Sequence, residues 1–351
     1  YNGFKMVLAK HSFYAEDIQS LQKLIDQNNL KLAQGEIINR DIKFHYTKRL
    51  LQNINLNKKI KIAWDIGNGA MGAVIKEITD NLNNSENILI NEKVDGNFPN
   101  HHPDPSKENN LVDTKNKMIS TNADIGFAFD GDGDRVGLIT NEGKSVIADK
   151  IIMLMAEFYL NQTKGPIVFD VKCSNQLPLL IRKFGGKPIM EKTGHFNIKK
   201  RIKETNAVMG GEMSGHIFIN HDWYGFDDAI YSAVILTKIV SESNISASEL
   251  VNRIPSMYAT PELNLNIKEE EKFNLIEKFK SQMKFPNADI NTIDGVRISI
   301  GNSWALMRAS NTSSKLVFRF EGDTEDNLKQ IKDLFESNFL RIFPDIQLDY
   351  D

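Results

Sequence analysis

The stretch "KKIKIAWDIGNGAMGAVIKEITDNL" (Lys58 to Leu82) reads as an apolar strand ending in Asp65, a glycine-rich turn and a helix. A second stretch, "GPIVFDVKCSNQLPLLIRKFGG" (Gly165 to Gly186), has the same plan: a strand ending in Asp170, a small-residue loop and a helix. Strand-like and helix-like segments alternate nearly throughout the chain, which predicts α/β architecture. The two copies lie too far apart for a solenoid repeat and suit duplicated domains.

At 351 residues the chain exceeds the size at which a single core stops growing, so several domains are expected. The pattern resets at "NINLNKK", at the turn "NEGKS" (Asn141 to Ser145) and near "RIPSMYATPE" (Arg253 to Glu262), predicting units at 1–56, 57–148, 149–256 and 257–351. The third begins with a helix capped by Asp149. Its apolar run "IIMLMAEFYL" (Ile151 to Leu160) is broken by Glu157 and falls short of the roughly 20 apolar residues of a membrane span, so it reads as a buried helix. The last unit reads as α+β, with an acidic-start helix "EEEKFNLIEKFKSQM", the strands "GVRISIG", "SWALMRAS" and "KLVFRFEG", and a closing helix "NLKQIKDLFESNFL". The first ten residues, "YNGFKMVLAK", carry a turn signal at Asn2-Gly3 and a strand-like run, with neither an initiator Met nor a leader pattern. They read as the second half of a hairpin cut from a longer chain. A net charge of -3 gives no argument for a nucleic-acid or membrane partner. The single cysteine, Cys173, excludes an internal disulfide framework and fits a reducing, cytoplasmic setting.

Within the second unit lies "GFAFDGDGDRVGL" (Gly126 to Leu138), where Asp130, Asp132 and Asp134 alternate with glycines and Arg135 follows. Like charges this close repel, and the cluster stays ionised only around a cation. Hard oxygen donors select Mg²⁺ or Ca²⁺. Asp-Gly also marks hairpin turns, but two in series with a third Asp exceed what a turn needs. An EF-hand loop would need Gly and Glu where Arg135 and Asn141 stand. The guanidinium fork of Arg135 suits a phosphate beside the metal.

Three further loops carry chemistry. "GGEMSGHIF" (Gly210 to Phe218) presents Glu212, Ser214 and His216 between glycines, an edge suited to a polyol; a polar hairpin turn reads equally well. "RASNTSSK" (Arg308 to Lys315) follows the strand "SWALM" and offers guanidinium, hydroxyl and amide donors from Arg308, Ser310, Asn311 and Thr312, as an anion nest does. A plain turn explains all but the arginine. "EKTGHFNIKKRI" (Glu191 to Ile202) places His195 at the start of a basic helix, where a structural role competes with a site role.

Together these stretches resemble the α-D-phosphohexomutases over nearly the whole chain. "DGDGDR" looks like the family's Mg²⁺ loop, "GEMSGH" its sugar loop and "RASNT" its phosphate loop. "DGNFPNHHPDP" (Asp95 to Pro105), "DVKCS", "KTGH" and "WYGFDDAIYSA" (Trp223 to Ala233) resemble family stretches as well. The resemblance implies repeated α/β domains with mixed sheets and a C-terminal α+β domain around a central cleft. It implies reversible interconversion of mannose (or glucose) 1-phosphate and 6-phosphate through a hexose bisphosphate and a phosphoserine. Asp130, Asp132 and Asp134 would bind Mg²⁺, and Arg135 would contact the transferring phosphate. Glu212 and Ser214 would hold sugar hydroxyls with His216 close by, and Arg308, Ser310, Asn311 and Thr312 would grip the other phosphate. Lys5 matches a candidate general acid/base, and His195 and Lys172 match cleft positions. Hexose phosphates are thus the implied partners, without nucleic acid or membrane, for a monomer or weak dimer.

Two departures stand out. The family serine lies in a Ser-His-Asn-Pro segment before "YNGFK", and that segment does not occur in these 351 residues. Residues 1–56 are then expected to be the C-terminal remnant of a first domain. If nothing preceded Tyr1, turnover by the family route would stop, leaving a sugar-phosphate-binding remnant as the alternative. Ser313-Ser314 also stand where the family more often has an acidic residue and Pro. Met213 at the centre of "GEMSGH" is nearer the mannose/glucose enzymes than the phosphoglucosamine mutases, the other alternative.

Overall fold

The computed structural model describes residues 6–8, 11–13, 16–28, 30–31, 33–311 and 313–350. The Lys58–Leu82 stretch forms the strand Ile60–Asp65, a short 3-10 turn at Ala70–Ala73 and the helix Ile75–Asn81. Its strand is internal to a five-stranded sheet ordered Ser85–Ile90, Ile60–Asp65, Ile125–Phe129, Val136–Thr140, Ser145–Val146. The first three strands are parallel and the last two antiparallel. The second copy builds a four-stranded sheet ordered Lys187–Glu191, Pro166–Asp170, Met209–Gly211, Ile217–Ile219, again three parallel strands and an antiparallel edge.

Both units therefore share one topology. The strand that comes first in the chain lies between the second and third, and the fourth folds back on the third. The aspartate loop (130–135) and the "GEMSGH" loop occupy the same place, the hairpin between third and fourth strands. Parallel strands covered on both faces read as unbroken apolar runs, which is why each copy was visible in the sequence. One continuous core joins the two units, with Trp64, Phe127 and Phe129 from the first and Phe169 from the second. The helices Ala148–Gln162 and Ala229–Glu242 lie in it, the latter buried nearly all round.

Asp149 does not cap the helix Ala148–Gln162. It sits buried inside the first turn, where its Oδ2 accepts from Ser174 N–H at 3.1 Å and lies 3.9 Å from Arg319. Tertiary partners took the carboxylate that a cap would have used. The helix read from "EEEKFN" starts at Lys272, which leaves the acidic residues in the preceding turn. Near the start of the chain, Val7–Leu8 pairs antiparallel with the following His11–Ser12.

The C-terminal sheet is antiparallel throughout and six-stranded, covered by the helices Lys272–Gln282 and Glu325–Ile342 over a core rich in Phe279, Phe318, Phe335 and Phe339. Its opposite face presents Trp304 and Leu306 to Val171. Around that contact lie buried charges. Arg297 stacks on Trp304 at 3.8 Å and donates to Val171 O, to Cys173 O at 2.9 Å and to Asn175 Oδ1 at 2.7 Å. Arg319 donates to Lys172 O at 2.8 Å, and Glu321 accepts from Ser174 Oγ, Asn175 N–H and Trp304 Nε1. Burial pushes Arg297 down to about 10, which still leaves it charged near neutrality.

Arg297→Met should destabilise the protein by about 3 kcal/mol, because two buried carbonyls and an amide lose their donor at once. Urea unfolding measures it, and an unchanged midpoint would refute the clamp.

Candidate active site

The aspartate loop is organised by Asp130. This buried carboxylate accepts from the backbone N–H groups of Gly133, Asp134 and Arg135, each at 3.1 Å on Oδ1, and from Arg135 Nε at 2.7 Å on Oδ2. The chain is thereby curled around its own first aspartate, and one oxygen from each of Asp130, Asp132 and Asp134 comes within 4.8 Å of the others. Burial and the nearby Asp134 push Asp130 up to about 6, against the opposing pull of Arg135. Three carboxylate oxygens held this close are hard donors without a positive charge between them, so the donor set fits a divalent cation such as Mg²⁺. Asp134, His216 and Asp227 form a second convergent group. It suits a hard cation less, since an imidazole replaces an oxygen and Lys199 Nζ already lies 3.1 Å from Asp227.

The first unit's other loops brace this one. Arg135 Nη1 reaches Asp104 at 3.3 Å, within the "HHPDP" segment. Ala70 N–H donates to Gly131 O at 2.9 Å, and a Cβ on Gly69 would fall 2.9 Å from that same oxygen, so only glycine allows the approach. Asp65 is fully buried and accepts from Gly67 N–H, Asn91 Nδ2 and Thr114 Oγ1, with His101 Nε2 at 3.1 Å. That hydrogen bond raises His101 to about 9 against its partial burial. Asp170, at the matching strand end of the second unit, is likewise buried and accepts from Met213 N–H at 3.3 Å and Thr193 Oγ1 at 3.3 Å.

The two hairpin loops meet. Arg135 and His216 form a β-bridge, and Val136 N–H donates to Gly215 O at 3.2 Å. His216 joins them through its side chain as well: Nε2 lies 3.3 Å from Asp134 and Nδ1 lies 2.7 Å from Ser214 Oγ and 3.5 Å from Glu212. Burial works against a charge on His216, but Asp134 and Glu212 more than offset it and hold its pKa above the ordinary value. Glu212 is almost completely buried; burial and Asp170 push it up to about 7, with His216 and the Gly194 N–H opposing. Its Oε1 accepts from that N–H at 2.6 Å. The loop is thus a hairpin whose glutamate also braces the His195 loop.

His195 is the first residue of the helix His195–Thr205, 3.8 Å from Asp227 and stacked near His216 with ring centres 6.0 Å apart. Lys172 is buried between Glu262 at 2.7 Å and Asp170 at 3.8 Å. Burial opposes its charge, yet these carboxylates hold its pKa above the usual lysine value. In the C-terminal unit Arg308 belongs to the strand Ser303–Ala309 and pairs with Val317, so the loop begins after Ala309 and not at Arg308 as the sequence suggested. Ser310 and the exposed Asn311 follow, with Asn311 Nδ2 3.4 Å from Thr193 O. Lys5 and Thr312 lie outside the described residues.

Several supports gave no signal in the sequence. Lys272 is 1% exposed and donates to Ser310 O and Ser313 O of the loop that follows Arg308. Asp104 and Asp227 matched family stretches, but their partners Arg135 and Lys199 lie 31 and 28 residues away in the chain, so nothing local marked their roles.

Three segments match descriptions of one family: residues 45–143 "Phosphoglucomutase/phosphomannomutase, alpha/beta/alpha domain II", 148–258 its domain III and 262–337 its C-terminal domain. The chain is 46% identical to a phosphomannomutase/phosphoglucomutase of Pseudomonas putida, over all of this chain and 76% of that protein. It is 41% identical to a phosphoglucomutase of Neisseria gonorrhoeae, covering 98% of this chain and 76% of that one. Among solved structures, a phosphoglucomutase/phosphomannomutase family protein of Burkholderia thailandensis superposes with a TM-score of 0.93 at 38% identity, covering 98% of this chain and 74% of that one.

The Asp65–His101 pair gives a pH signature. His101 is raised from 6.5 to about 9 in the folded state, so its stabilisation is full below pH 6.5 and is lost as pH rises through about 9. Urea unfolding of the native chain and His101→Gln should show a stability gap that narrows across this window; a constant gap refutes the pair.

Proposed function

The chain belongs to the phosphoglucomutase/phosphomannomutase family of α-D-phosphohexomutases and is a hexose-phosphate mutase, and from that premise we propose how its loops divide the work. Mannose or glucose 1-phosphate and 6-phosphate are the substrates, a hexose bisphosphate is the intermediate, and Asp130, Asp132 and Asp134 hold Mg²⁺. The observation that carries this reading is the meeting of the aspartate and "GEMSGH" hairpins through Arg135, His216 and Gly215.

When bound, Mg²⁺ neutralises charge on the transferring phosphoryl oxygens, the principal electrostatic need of phosphoryl transfer. Arg135 reinforces it: Asp130 and Asp104 fix two of its nitrogens, so the guanidinium stands preset beside the metal loop. On the opposite side Arg308, with Ser310, Asn311 and Thr312, receives the phosphate that does not react. The sugar lies between them, its hydroxyls meeting Ser214 and His216, with Glu212 beneath. Lys172 and His195 supply further positive charge and hydrogen bonding. Because the two phosphate subsites sit on different units, a bisphosphate turned end for end presents its other phosphate to the metal loop. Lys5 is retained as a candidate proton carrier.

Titration calorimetry tests this with mannose 1-phosphate, glucose 1-phosphate and Mg²⁺. Asp132 is exposed, so Asp132→Ala should abolish Mg²⁺ uptake while leaving the unfolding midpoint unchanged. Arg308→Ala should weaken hexose-phosphate binding by about tenfold or more. Failure of the native chain to bind any hexose phosphate overturns the reading, and tighter binding of glucosamine 1-phosphate reassigns the sugar.

A further inference from the structure

One carboxylate ties the phosphate loop to the loop that carries His195. Asp294 Oδ2 accepts from Arg308 Nε at 2.8 Å and from Thr193 N–H at 3.0 Å. The approach depends on Gly295, which has φ +79° and whose added Cβ would fall 2.2 Å from Met307 O and 2.7 Å from Arg308 Cα. Any larger residue would push the turn off the arginine strand and carry Asp294 with it.

Arg308 is 4% exposed, and among the described residues nothing accepts from its Nη2. A guanidinium bonded at Nε has its plane fixed, which leaves the Nη edge for a ligand. On the other side of the carboxylate, Thr193 leads into Gly194, whose N–H donates to Glu212 Oε1 at 2.6 Å. A short series of bonds thus runs from Arg308 through Asp294 and Thr193-Gly194 to the sugar loop.

We propose that Asp294 is a positioning residue of this site, setting the plane of Arg308 for a sugar phosphate, with its own place fixed by the Thr193 N–H that donates to the same oxygen. The proposal rests on reading Arg308 as a phosphate ligand. The carboxylate offsets the buried arginine's charge and orders its side chain before the ligand arrives, so binding does not bear that ordering cost.

Calorimetry with glucose 1-phosphate on the whole chain tests it, comparing Asp294→Ala, Arg308→Ala and the double variant. Asp294→Ala should weaken binding roughly tenfold, yet less than about twofold when added to Arg308→Ala, because it acts through the arginine. Should Asp294→Ala fail to fold, Asp294→Asn carries the test: its amide keeps the shape and one acceptor but not the charge, and roughly threefold weaker binding is expected. Wild-type affinity in the variant that folds, or losses that simply multiply in the double variant, overturns the proposal alone. No binding by the native chain removes both the proposal and the reading of Arg308 beneath it.

Discussion

Asp130 is the group on which the site is built. Three backbone N–H groups converge on one of its oxygens and an arginine on the other. Those bonds curl the loop so tightly that Asp132 and Asp134 are brought beside it, creating a repulsion of the kind a divalent ion would relieve. Order and instability thus come from the same contacts. The loop is held in shape by one carboxylate and left electrostatically unfinished by the three together.

Duplication explains where the two polar hairpins lie. In each α/β unit the first strand ends in a buried aspartate, and the third and fourth strands are joined by a glycine-bearing hairpin. Asp65 and Asp170 anchor the loops around them, while one hairpin carries carboxylates and the other Glu212, Ser214 and His216. Two copies packed on one core bring the hairpins together, and backbone pairing across Arg135 and His216 fixes their register. A pair of ordinary turns thereby becomes a composite surface with three carboxylates at one end and a carboxylate, hydroxyl and imidazole at the other.

The C-terminal unit is attached differently. Its core is separate, and the seam relies on buried arginines that grip backbone carbonyls of the "DVKCS" loop, with Trp304 and Val171 filling the space between. Such contacts are directional, so they fix orientation where a purely apolar seam would slide. The orientation matters because Arg308, Asp294 and Thr193 have to meet across it.

The sequence by itself determined the α/β class, the duplicated unit and the aspartate loop, because apolar periodicity and glycine-spaced carboxylates are local properties of a few adjacent residues. It also located Arg135, His216 and Arg308 within their motifs. It misplaced Asp149 as a cap and gave no sign that Lys272 is buried, since a carboxylate or an ammonium looks the same in sequence whether it faces water or a buried partner. Only the tertiary structure decided that Asp104 braces Arg135, that Glu212 lies beneath its loop and that Asp294 joins two units. Each of those roles depends on a hydrogen bond between residues far apart in the chain, and the direction of such a bond is set by packing alone.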